Sequence, residues 1–134
     1  MKKILFAVVA CVAMFAFTAC NETVESQIFD LGYDASKLES GDAMVYQQIY
    51  EPLFISELSK KGQVATESGK TFVINSTETK AKAEMKAAFE AASIAAQTLN
   101  DKAAIKLTGL KVTLKHSNSK NPQNPSEFCE YTFK

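Results

Sequence analysis

Residues 77–102, TETKAKAEMKAAFEAASIAAQTLNDK, constrain the fold more than any other stretch. At helical spacing, Met85, Phe89, Ala92, Ala96 and Leu99 make one apolar stripe that needs a core to face. Opposite it runs a second row, Ala83, Ala87, Ile94 and Thr98, with Ala91 at its margin. Lys82, Lys86, Glu90 and Gln97 lie between the two. A single-sided surface helix does not need the second row. It predicts that a helix over 36–61 packs there, or that a partner does. Alanine's own helix propensity accounts for the same row without any contact.

The remaining elements read more briefly. Ser36-Lys37-Leu38-Glu39 fits a capping box, and Gly41-Asp42 offers a second helix start. Helix formers then run to Lys61, with Gly62 as the stop and Pro52 as a kink or restart. Tyr46, Ile49, Tyr50 and Leu53 share one face of this helix, as core or as an aromatic binding surface. Residues 63–75 pattern as a hairpin, and Asn75 to Glu78 as the next helix start. In the C-terminal part, Leu110, Val112 and Leu114 alternate with Lys111, Thr113 and Lys115. Gly109 marks a bulge or break before them. A polar loop over 117–126 leads to a return strand with Cys129, Tyr131 and Phe133 on one face and Phe128, Glu130 and Thr132 on the other. Lys111 and Lys115 are expected to face Glu130 across the pair. The predicted order is (β)-α-β-α-β-β. The predicted fold is α+β, two helices packed on one face of a small, mainly antiparallel sheet.

The chain opens MKKILFAVVACVAMFAFTACNETVES. Lys2 and Lys3 precede an apolar run from Ile4 to Phe17 that is shorter than the roughly 20 residues a spanning helix needs. Thr18-Ala19 then abuts Cys20. The stretch resembles a bacterial lipoprotein signal of the kind found in Bacteroidota. Phe17 stands where the family more often has an aliphatic residue. Cys11 is the weaker attachment point, because it leaves too short an apolar stretch and an apolar mature terminus. The resemblance implies acylation of Cys20 and cleavage just before it. It also likens the acidic NETVES segment to a surface-export signal, although a plain solvated tether explains it equally. The expected organisation is a signal over 1–19, an acidic tether over 20–35, in which IFDLGY (28–33) is a short strand or a docking segment, and a single domain over 36–134.

Removing 1–19 takes two of the 15 lysines and none of the 15 acids, so the remainder is slightly acidic. The chain has neither arginine nor tryptophan. Without the guanidinium that grips phosphates and stacks on bases, nucleic acid is not an expected partner. Cys129 is the one thiol left after Cys11 and Cys20, and it is expected to behave as a buried small hydrophobe. One histidine and one cysteine do not make a zinc site, and no acid spacing imitates a calcium loop. No catalytic residue, metal or cofactor is therefore expected. The reading is a lipid-anchored envelope protein at the outer membrane or cell surface, or facing the periplasm. It acts by binding a ligand or protein partner and is held to the membrane through Cys20. Its candidate contact residues are Tyr46, Tyr50, His116, Asn118, Asn121 and Asn124. The alternatives are a small hydrolase built on fold-assembled carboxylates or His116, and a structural subunit of an envelope complex.

Overall fold

The computed structural model describes residues 23–65, 69–120 and 124–134. Its centre is β1, Glu25–Asp34. Gln27, Phe29 and Leu31 are buried and alternate with half-buried Ser26, Ile28 and Asp30, the period of a strand with one face on a core. β2 (Gln63–Val64), β3 (Thr71–Ser76), β4 (Lys111–Asn118) and β5 (Ser126–Thr132) complete a fully antiparallel sheet, in the spatial order β2-β3-β1-β4-β5. Within the segment expected as a tether over 20–35, the short strand read at 28–33 is longer than expected: Glu25–Asp34 form the middle strand of the sheet. The chain order is β1-α1-β2-β3-α2-β4-β5, and the architecture is the α+β one expected.

α1 is a helical segment over 43–59. It comprises an α-turn Ala43–Val45, a π-helical turn Tyr46–Tyr50 and an α-helix Glu51–Ser59. It starts at the second of the two predicted starts, where Asp42 accepts from the Met44 N–H at 2.9 Å. Residues 36–37 form a turn instead, in which the Ser36 N–H donates to Asp34 Oδ1 at 2.8 Å. Pro52 explains the π turn. Its ring crowds the carbonyl four residues back and it has no N–H to donate. The Glu51 N–H accordingly reaches five residues back to Tyr46, and the α-helix restarts with Pro52 in its first turn. Gly62 is not a left-handed stop. A Cβ there would stand 3.1 Å from Phe72 Cβ, so the glycine lets α1's end pass close over β3.

α2, Glu78–Lys102, is capped by Thr77 rather than Asn75, which lies in β3 and accepts from Ser26 Oγ at 2.7 Å. Met85, Phe89, Ala92 and Ala96 are buried as the stripe predicts. The second row is not: Ala83, Ala87, Ala91, Ile94 and Thr98 are exposed, Ile94 at 70%, and so is Leu99. α1 packs on the buried side of α2, with Phe54 against Phe89 at a ring distance of 5.3 Å. Among the described residues nothing covers the row, which fits alanine's helix propensity. Aromatic rings tie the layers together: Tyr33 meets Tyr46 at 4.9 Å, and Tyr50 meets Phe133 at 5.3 Å. At α2's end, buried Asn100 accepts from the Leu107 N–H at 2.8 Å, and Lys106 Nζ donates to the Asp101 carbonyl at 2.7 Å.

A bulge in β5 corrects its predicted faces. Leu114 pairs with Cys129 but Lys115 pairs with Glu127, which leaves Phe128 as the extra residue. Phe128 turns to the core side, 6.0 Å from Phe29, instead of siding with Glu130. Gly109 has φ +94°, and a Cβ there would fall 2.1 Å from the Lys37 carbonyl oxygen. The break before β4 is therefore a tight crossing of two backbone segments that only glycine allows.

Candidate functional site

Of the two readings for the tyrosines, core or contact surface, the core one holds: Tyr46 is 0% exposed and Tyr50 2%. Burial pushes the Tyr46 hydroxyl far above the usual phenol range, helped by the Glu51 carboxylate. His116 does not stand at the mouth of a loop. It lies inside β4 on the core face, 5% exposed, with Nε2 2.8 Å from Gln27 Oε1. Of the loop asparagines, Asn118 ends β4 and accepts from the Lys120 N–H at 3.1 Å, and Asn124 is exposed. Asn121 and Cys20 lie outside the described residues. Cys129 is half-buried, and burial raises its thiol to about 11.

Both helices cover one face of the sheet, and among the described residues no helix covers the other. Alternation along the strands decides what that face carries. Asp30 stands opposite Thr71 and Lys115, Lys115 opposite Glu127, Thr113 between Gly32 and Glu130, and Lys111 between Asp34 and Thr132. Charges of opposite sign thus alternate across the strands. Thr71 Oγ1 donates to Asp30 at 2.7 Å, and Lys111 Nζ lies 2.9 Å from Glu130 and 3.8 Å from Glu127. Ile28 and Val73 form a small half-buried apolar spot opposite one another.

At one end of this face polar groups converge. Asp34, Ser36, Lys37, Gly109, Lys111, Glu130 and Thr132 line a cleft of about 330 Å³. Three crossings bring them together: the end of β1, the start of β4 and the end of β5. Gly109 permits the close approach of the Lys37 segment, and the Glu39 N–H donates to the Thr108 carbonyl at 3.0 Å to hold it. The hydrogen bond from the Ser36 backbone, then that of its side chain, holds Asp34 below the usual carboxylate range; Lys111 and Lys37 add to the effect. Lys111 is raised, by its hydrogen bond to Glu130 first and by Glu127 next. Both groups are therefore fixed in their charged forms. The cleft offers carboxylate, ammonium and hydroxyl groups to a polar solute. From sequence alone Lys111 is expected to face Glu130, as it does, and Gly109 to mark a break. Their union with Asp34 and Lys37 depends on strand register, which no local pattern shows.

Among the described residues there is no group of three or more histidines, cysteines or acids able to hold a metal ion, and no helix long and apolar enough to cross a membrane. Comparison with protein-family models, curated proteins and solved structures finds no match.

Proposed function

We propose that the protein is a small, lipid-anchored envelope protein that acts by binding, with its lipid on Cys20 and its contact surface on the uncovered sheet face. The observation that carries the binding part is the cleft of Asp34, Lys37, Lys111 and Glu130, where charges of both signs and two hydroxyls converge. That set suits a polar or zwitterionic group held by hydrogen bonds. Asp34 is lowered, the opposite of what a general acid needs, and His116 is buried on the other face. Both observations favour binding over hydrolysis.

Anchor and cleft are at opposite ends. Five residue steps separate Cys20 from the start of β1, a reach of at most about 18 Å. The register sets Gln27 beside Asn118, so the β4–β5 connection shares the anchor's end of the sheet. Asp34, Lys111 and Thr132 close the far end, roughly 30 Å away along β1. A domain on so short a leash presents its cleft outward and keeps the β4–β5 loop near the lipid headgroups.

Photo-reactive residues placed at Lys37 and at Ile94 in the anchored chain test this reading in cells. The expected result is a discrete crosslinked species from position 37 and none from 94. A crosslink from 94 alone would move the contact to α2. Turnover of peptidoglycan or glycan substrates that is lost on Asp34→Asn or Glu130→Gln would establish a hydrolase instead.

A further inference from the structure

Three strands and a helix meet at His116, the one histidine of the chain. Its ring packs 5.1 Å from Phe29 on β1. The Gln27 amide nitrogen donates to the Ser76 carbonyl at 3.3 Å, which turns the amide oxygen toward His116. His116 Nε2 is therefore the donor, and Nδ1 is the nitrogen that takes a proton in acid. Ser76 directly precedes Thr77, the cap of α2. A chain of hydrogen bonds thus runs from β4 through β1 to the point where α2 begins.

We propose that His116 is a pH-sensitive latch: while neutral it helps hold the first turns of α2 on the sheet, and its protonation, which leaves the Nε2 bond to Gln27 in place but puts a positive charge inside the core near Lys82 of α2, loosens them. The charged groups around it decide the sign. From α2, Lys82 opposes a positive ring, and Glu78, ion-paired to Lys82 at 3.2 Å, favours one. From β1, Glu25 also favours one, but Lys120 lies 3.8 Å from that carboxylate. From β5 the neighbours are uncharged: Ser126 pairs with His116, and the Phe128 ring carries Lys82 Nζ over it at 5.5 Å. Burial is the strongest influence and disfavours the charged ring, with Lys82 next, so His116 titrates below the ordinary 6.5. The opened state binds the proton first. Stability at this site is whole above pH 6.5, falls as the pH drops toward the folded midpoint and levels off beneath it.

The test uses the full chain. As the sole histidine, His116 gives one unambiguous ring Cε1 signal in a pH titration. The expected midpoint lies below 6.5 and rises on Lys82→Gln. Over the same range, hydrogen-exchange protection at residues 82–86, corrected for intrinsic rates, falls by up to about tenfold per pH unit, while Val112 holds its protection. His116→Gln, which keeps a donor and cannot titrate, flattens the response. A midpoint at or above 6.5, or loss of protection at 82–86 and Val112 together, overturns the latch. So does an unchanged fall in His116→Gln. The titration and exchange of the unaltered chain decide the matter even where a variant folds poorly.

Discussion

The two faces of the sheet are built on opposite rules. On the covered face, Phe29, Phe72, Leu114 and Val112 meet Tyr46, Phe54, Met85 and Phe89 in one apolar cluster. On the uncovered face, carboxylates and lysines neutralise one another across strands, and small residues such as Gly32 and Thr113 keep it flat. Burying an aromatic ring stabilises by kilocalories, whereas an exposed ion pair contributes little. The covered face therefore specifies the fold. The uncovered face can vary its side chains at small energetic consequence, which makes it the face where recognition can be placed.

Substitutions that break this contrast can be ranked. Phe54→Ala empties the junction between α1, Tyr46 and Phe89, and is expected to lower unfolding free energy by about 3–5 kcal/mol in urea denaturation. Gly109→Ala forces a Cβ onto the Lys37 backbone at positive φ. It should destabilise by roughly 2–4 kcal/mol and perturb the cleft, which links the two faces. Gly62→Ala brings a Cβ within 3.1 Å of Phe72 Cβ and 3.3 Å of Ile74 Cγ1, with the Val73 carbonyl oxygen in ordinary contact at 3.5 Å, so about 1–2 kcal/mol is expected. Lys111→Gln, on the uncovered face, should leave the urea midpoint unmoved within error. A large shift there would mean that the face is structural after all. For Cys129, a thiol raised to about 11 is mostly protonated at pH 8. In a chain with Cys11 and Cys20 changed to serine, its alkylation should run about a hundredfold slower than that of a free thiol and accelerate until the pH nears 11.

The elements with strong local period were legible in the sequence. α2's stripe and the alternation of β4 follow from residues a turn or a pleat apart, and the structure repeats them except at exposed Leu99. β1 was not legible as the central strand. Its core face begins with Gln27, and its other face carries Ser26, Asp30 and Asp34, so the segment reads as polar and tether-like. Gln27 is tolerated inside because His116 and Ser76, far along the chain, satisfy its amide. The tyrosines of α1 left two readings open, core and contact surface, and the structure bears out the core one. An amphipathic ring suits a core edge or a surface equally, and only tertiary packing, Tyr46 against Tyr33 and Tyr50 against Phe133, places both in the core. The cleft was hidden because its residues come from three chain segments joined by register.

Comparing the anchored and unanchored chains tests the central claim most directly. A C-terminal tag after Lys134 is followed through membrane fractionation, intact-cell protease shaving and mass measurement, for the unaltered chain and for Cys20→Ala. The account predicts that the unaltered chain fractionates with the membrane and carries acyl mass on Cys20, and that Cys20→Ala is released. Loss of the tag on shaving places the domain outside the cell, and survival until the outer membrane is opened places it in the periplasm. A Cys20→Ala chain that stays membrane-bound, or an unaltered chain without acyl mass, would contradict the account.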